Sequence, residues 1–192
     1  DHLCFLITNQ PVVARNFCDI DTVKQIHNNL EILLGKEGTY LNDIYFCPHH
    51  PDRGYPEENP AFKIDCNCRK PKTEMIDRAV KEYNVDVENS WFIGDTTTDI
   101  QTLINARLKT VLVRTGKGGK DGKFNCNPDF IFDDLGKAID FVLADRYEYE
   151  VYIREILEKV ERCRDRSPFL IGVAGLSRSG KSTFVNLLKK EK

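Results

Sequence analysis

Strand-length apolar runs alternating with helical segments predict an α/β fold built on a parallel sheet with helices on both faces. Two observations carry that prediction. The spacing of apolar residues switches repeatedly between short continuous runs and a three- to four-residue period. The polar groups Thr8-Asn9-Gln10, Cys47-Pro48-His49 and Gly94-Asp95 each close a predicted strand, and function in such sheets gathers at the carboxyl ends of strands.

Leu3–Thr8 is the first apolar run. Asp19–Leu34 reads as a helix, because Val23, Ile26, Leu30 and Leu33 recur at helical spacing and Asp19 or Asp21 suits the N-cap. Asp43–Cys47 is a second strand, followed by a loop rich in Pro, His, Gly and Glu that runs to Arg69. A helix over Lys72–Tyr83 leads to a strand, Ser90–Ile93, that ends at Gly94-Asp95. Thr98–Ala106 then reads as a helix and Thr110–Val113 as a strand. Gly116–Gly122 is a glycine- and lysine-rich loop, either mobile or facing phosphate. Phe130–Phe132 and Leu135–Leu143 close the unit as a strand and a helix. Beyond it, Asp145–Arg166 is a charged helix, Ser167-Pro168 breaks it, and a new strand begins at Phe169. The expected organisation is one domain over 1–144, a linker helix over 145–167 and the start of a second α/β domain over 168–192.

With 192 residues, 41% of them hydrophobic and 30% charged, the composition is that of an ordinary globular protein. A formal net charge of −2, and no basic patch interleaved with aromatics, argue against nucleic acid as a partner. The longest apolar runs, such as Phe169–Gly175, are far too short to cross a bilayer. Of the seven cysteines, Cys47, Cys66 and Cys68 fall in one segment with His49, while Cys4, Cys18 and Cys163 stand alone and Cys126 lies in a polar turn. That distribution suits a reducing, cytoplasmic setting with one metal site better than a disulfide framework.

Cys47-Pro48-His49 and Cys66-Asn67-Cys68 offer four sulfur and nitrogen ligands in two close pairs. A tetrahedral Zn²⁺ prefers that donor set, and a closed four-ligand site is structural rather than catalytic. The intervening loop has few apolar residues, so a metal clip would order it where burial cannot. His50 is the competing ligand beside His49.

The segments Leu6-Ile7-Thr8-Asn9-Gln10, Cys47-Pro48-His49-His50-Pro51, Cys66-Asn67-Cys68-Arg69-Lys70-Pro71-Lys72 and Gly94-Asp95-Thr96-Thr97-Thr98-Asp99 follow one another in that order. Together they resemble the zinc-loop subgroup of the HAD superfamily, which contains D-glycero-D-manno-heptose bisphosphate phosphatase and the histidinol-phosphate phosphatase domain. The resemblance implies a Rossmann-like domain and Mg²⁺-dependent hydrolysis of a small phosphorylated sugar or polyol through an aspartyl-phosphate. By the same resemblance Thr8 hydrogen-bonds the phosphoryl group, Asn9 helps to position it, and Lys70 neutralises its oxygens. Arg69 holds the substrate's sugar or phosphate side, and Asp95 is the Mg²⁺ ligand. Asp99 either supports the site as a further Mg²⁺ ligand or sits in the first turn of the next helix.

The family's nucleophile lies in an Asp-x-Asp pair on a central strand before the Thr8 motif, and no such pair precedes Thr8 in this sequence. Asp19-Ile20-Asp21 imitates it, but it follows the threonine and reads as a helix start. The expectation is therefore an N-terminally truncated phosphatase domain without its first central strand, inactive as it stands.

Gly175-Leu176-Ser177-Arg178-Ser179-Gly180-Lys181-Ser182 fits the P-loop pattern, between the apolar run Phe169–Ala174 and the helix-like Thr183–Lys190. In such a loop Gly175 and Gly180 let backbone N–H groups approach the phosphates of ATP, Lys181 reaches the outer phosphates and Ser182 ligates Mg²⁺. The wording resembles uridine-kinase-like small-molecule kinases. The rival readings are a phosphate-binding pseudo-phosphatase or scaffold, and a regulatory segment of a P-loop kinase. The oligomeric state is left open.

Overall fold

The computed structural model describes residues 2–52, 54 and 58–143. The linker helix, the P-loop with Gly175, Gly180, Lys181 and Ser182, and both predicted domain boundaries lie outside the described residues.

Five strands and the helices between them appear in the expected order: β1 (Phe5–Asn9), α1 (Ile20–Lys36), β2 (Asp43–Cys47), α2 (Glu74–Tyr83), β3 (Trp91–Gly94), α3 (Thr97–Ala106), β4 (Lys109–Val113) and β5 (Phe130–Phe132). A final helix, α4, covers 135–143. All strand pairs are parallel, as a chain that inserts a helix between successive strands requires. The expected single sheet is instead two: β1 pairs with β2 and, apart from them, β4 is flanked by β3 and β5. Among the described residues β1 and β3 thus each have one edge without a strand partner.

What joins the two sheets is α2. Met75 and Ala79 on its buried face pack with Tyr45 and Cys47 of β2. Their neighbours Ile76 and Val80 turn to Ile100 and Leu103 of α3 and Leu112 of β4. Ile7 of β1 touches both clusters. A third cluster joins Val111 and Val113 of β4 to Ala138 of α4, walled by Trp91, Phe130 and Phe132. Phe141 stacks over that wall, its ring centroid 4.7 Å from that of Phe130.

Local chemistry sets the ends of the elements. The Asp19 carboxylate accepts the Thr22 N–H at 2.7 Å and caps α1, so Asp19-Ile20-Asp21 is a helix start as its sequence suggests. Helix α2 begins two residues later than its apolar spacing predicts, because residues 67–72 form a turn in which Lys72 N–H reaches Arg69 O at 2.9 Å. Asn84 and Arg107 adopt the left-handed conformation that ends α2 and α3. The buried face of α1 differs from the expected apolar stripe. Val23 and His27 are buried, while Ile26 and Leu33 are 57% and 58% exposed. The His27 ring meets Phe46 edge-on at 5.1 Å, so β2 selects the imidazole in place of the isoleucine beside it.

Leu103 is fully buried at the junction of α2, α3 and β4, whereas its neighbour Ile104 is 45% exposed. Leu103→Ala is expected to lower the unfolding free energy by about 3 kcal/mol through lost burial and a residual cavity. Ile104→Ala should cost about 0.5 kcal/mol. Urea denaturation of both variants checks the contrast.

Candidate functional site

Within each sheet parallel strands end on one side: β1 ends at Thr8 and Asn9 beside Cys47 of β2, β3 ends at Gly94 just before Asp95, and the contacts of Lys70 with Ile7 and Asp99 bring the two ends to a common rim. The turn after the zinc-loop cysteines brings Lys70 to the same rim. The Asn9 side chain clamps the Lys70 main chain at two points: Nδ2 donates to Lys70 O at 3.3 Å, and Lys70 N–H donates to Oδ1 at 3.0 Å. With its backbone so held, Lys70 sends its ammonium inward to donate to Ile7 O at 3.0 Å and to Asp99 Oδ1 at 2.6 Å. The Lys70 and Asp99 side chains are 11% and 9% exposed, so this ion pair is shielded from solvent and held by further hydrogen bonds.

Asp99 is fully engaged. Its Oδ2 accepts the Thr96 N–H at 3.1 Å and the Thr96 hydroxyl at 2.6 Å, while its Oδ1 faces Lys70. It is the third residue of a capping box on α3 and at the same time the counter-ion of the buried lysine. Gly94 makes this approach feasible, since a Cβ there would lie 2.4 Å from Asp99 Cβ. Asp95, one residue on, is held differently. Its Oδ2 accepts the Lys117 N–H at 2.8 Å and its carbonyl accepts the Gly119 N–H at 2.8 Å. The Thr8 hydroxyl accepts a long hydrogen bond from Gln10 Nε2 at 3.4 Å, and Gln10 N–H ties to Cys47 O at 2.7 Å.

Cys47, His49, Cys66 and Cys68 converge within 4.8 Å of one another. The three sulfurs are 3.2 to 3.5 Å apart, and His49 Nδ1 lies 3.4 Å from Cys68 Sγ and 3.8 Å from Cys47 Sγ. A Zn²⁺ with Zn–S bonds of about 2.3 Å spaces tetrahedral ligands by roughly 3.8 Å, so this slightly contracted donor set fits the ion. Burial, and then the neighbouring sulfur, push the Cys68 thiol well above its ordinary range. A dication supplies the charge that lets such thiolates form. Between the two histidines the geometry decides for His49. His50 Nδ1 instead accepts the Asp52 N–H at 3.2 Å, and its Nε2 lies 3.4 Å from Arg15 Nη2.

The loop carrying these ligands leans on the segment after β1. Asn59 N–H donates to Ala14 O at 3.0 Å, and Lys63 and Glu58 form an ion pair at 3.0 Å with little solvent exposure. Arg69 Nη1 donates to His49 O at 2.9 Å, which fixes the guanidinium beside the metal ligands. Sequence reasoning included Thr96 and Thr97 in a motif and Asp121 in the glycine-rich loop but gave none of them a role of its own. Asp121 accepts the Thr97 N–H at 2.6 Å and its hydroxyl at 2.8 Å across 24 residues of chain, a pairing with no local signature.

Residues 67–138 match a family model described as HAD-hydrolase-like. Over 129 residues the chain is 34% identical to the D-glycero-beta-D-manno-heptose-1,7-bisphosphate 7-phosphatase of Pseudomonas putida, covering 67% of each chain. It is 38% identical over 135 residues to the enzyme of the same name from Haemophilus influenzae, covering 70% of each. Among solved structures it resembles D,D-heptose 1.7-bisphosphate phosphatase from B. bronchiseptica, complexed with magnesium and phosphate. There the TM-score is 0.62 and the identity 29%, over 74% of this chain and 75% of that one.

The metal cluster yields its own expectation. The purified chain should carry about one Zn²⁺, as a closed four-ligand site does. Cys66→Ser and Cys68→Ser should lose it while His50→Ala retains it, as read by elemental analysis. Stripping the metal with a chelator should lower the melting temperature, because binding and ordering of the loop are coupled.

Proposed function

This chain belongs to the HAD-like phosphatase family and is a phosphoric monoester hydrolase acting on sugar phosphates; we propose that its substrate is a heptose bisphosphate or a sugar bisphosphate of similar size. The observation that carries the reading is the buried Lys70–Asp99 pair, fixed from β1 by Asn9 at the rim where Asp95 emerges.

Lys70 places a fixed positive charge where phosphoryl oxygens gather negative charge in the transition state. Its own counter-ion, Asp99, holds the ammonium in position in a shielded site. Both carboxylate oxygens of Asp99 are engaged, so the metal role passes to Asp95 alone of the two. Asp95 would hold Mg²⁺ as a hard oxygen ligand, and the ion, when bound, neutralises charge on the transferred group. Thr8 offers a hydroxyl to the phosphoryl group from the end of β1. Arg69, fixed through His49 O, addresses the distal sugar or phosphate with its planar fork. The Zn²⁺ loop then serves to hold Arg69 over the substrate and takes no part in bond making.

The route is the family's aspartyl-phosphate chemistry. A carboxylate attacks phosphorus, the P–O bond to the sugar breaks, the departing oxygen takes a proton, and water then cleaves the acyl phosphate. The carboxylate nucleophile belongs to an Asp-x-Asp pair that does not precede Thr8 in this sequence. Asp19 is not it, being occupied as the cap of α1. Nucleotide binding, with ATP as the ligand, is proposed separately for the P-loop sequence Gly175–Ser182.

Phosphate release by the full-length protein from a panel of sugar mono- and bisphosphates, with and without Mg²⁺, tests this reading. Turnover of the heptose bisphosphate that depends on Mg²⁺ is the expected result; release from none of the panel would overturn it. Lys70→Met should lower kcat about 10²–10³-fold. Lys72→Met, whose partner Asp65 lies on the surface, should leave kcat within about twofold.

A further inference from the structure

The glycine-rich loop after β4 folds back across the end of β3. Lys117 and Gly119 donate their N–H groups to the Asp95 carboxylate and carbonyl, each at 2.8 Å. Farther along, Phe124 N–H donates to the Thr97 hydroxyl at 3.2 Å, and the Cys126 thiol faces Thr97 O at 3.4 Å. Between these contacts the Asp121 side chain reaches the start of α3. Asp121 accepts both the Thr97 N–H, at 2.6 Å, and the Thr97 hydroxyl, at 2.8 Å.

Thr97 opens α3, so its N–H is one of the first-turn donors that the helix itself leaves without a partner. The same end of the helix favours a negative charge. Burial works to raise the Asp121 carboxyl, but the Thr97 amide and hydroxyl outweigh it and hold the group below the ordinary carboxylate range. The loop fits closely. Gly116 has φ of +66°, and a Cβ there would lie 2.3 Å from Asp95 Oδ2.

We infer that Asp121 is a positioning residue for Asp95: docked on the first turn of α3, it fixes the loop whose Lys117 N–H holds Oδ2, leaving Oδ1 of the same carboxylate for a divalent cation. The inference rests on the reading of Asp95 as the Mg²⁺ ligand. Groups that orient a metal ligand in this indirect way typically alter metal affinity 10- to 100-fold when lost. The Asn side chain at 121 would keep the shape of Asp but lose the charge and turn an N–H₂ toward the Thr97 donors.

Two readouts on the full-length protein test it. Amide hydrogen exchange at Lys117 and Gly119 needs no metal, and the Mg²⁺ concentration for half-maximal phosphatase turnover reads the functional consequence. Asp121→Asn should speed exchange at both amides about tenfold. It should also raise the half-saturating Mg²⁺ about tenfold while kcat at saturating Mg²⁺ stays within about twofold. Thr97→Val, which removes one of the two donors, should move both readouts the same way by less. Asp133→Asn, an exposed partner of Lys137, should move neither. Unchanged exchange in Asp121→Asn and Thr97→Val overturns the inference, as does faster exchange with no change in Mg²⁺ dependence. Asp95→Asn separates the two levels. If it leaves the Mg²⁺ dependence intact, the cation role of Asp95 has failed and the inference falls with it. If it shifts that dependence while Asp121→Asn does not, the inference alone has failed.

Discussion

The ammonium of Lys70 is the point on which the rest of the site depends. A lysine taken out of water must be matched by a counter-charge and by acceptors for its remaining protons. Asp99 supplies the first and the carbonyl of Ile7 a share of the second, one from the start of α3 and one from β1. The two sheets share no strand pairing, so this ion pair and the packing of α2 do the work that a continuous ladder of hydrogen bonds does elsewhere. Moving the lysine would leave a carboxylate buried and unmatched, which makes its position as strongly determined as that of any core residue.

Around that pair the chain divides its tasks by the physical means available to each segment. Regular elements position groups by packing: Met75 and Ile76 face different sheets from one turn of α2. Segments too polar to pack rely on directed contacts. The loop after β2 has three donors, His49, Cys66 and Cys68, that converge on Cys47 at the strand end, a shielded ion pair and a hydrogen bond to Ala14. The loop after β4 has its carboxylate on Thr97 and its amides on Asp95. Both loops border the strand ends, so neither the Arg69 side nor the Asp95 side of the site rests on an unsupported segment.

Much of this was legible in the sequence, for identifiable reasons. The order of elements along the chain and the parallel pairing followed from alternation, and the polar groups Thr8-Asn9 and Gly94 do stand at strand ends. The convergence of Cys47, His49, Cys66 and Cys68 followed from spacing, since two close pairs of soft donors suit one cluster able to hold a metal. The failures have a common origin, in that periodicity counts apolar residues without knowing what they face. On α1 it favoured Ile26, yet Phe46 lies opposite His27 and takes the imidazole edge. Asp99 was left open between a further Mg²⁺ ligand and a first-turn residue, because its partnership with Lys70, 29 residues away in sequence, leaves no local trace. The split of the sheet and the Asp121–Thr97 clamp are long-range facts that leave no local trace. Thr97 and Asp121 are each unremarkable in composition, and only the path of the loop between them makes them partners.

Gly94 gives the site a consequence in heredity as well as in mechanics. Its missing side chain is the space that Asp99 fills, with Asp99 Cβ standing where any added carbon would be directed. Every amino acid that a single-base change can put in place of glycine carries that carbon. The codon for this position therefore has silent neighbours and disruptive ones but no conservative ones. Any residue other than glycine at this position must displace Asp99, and with it the counter-ion of Lys70.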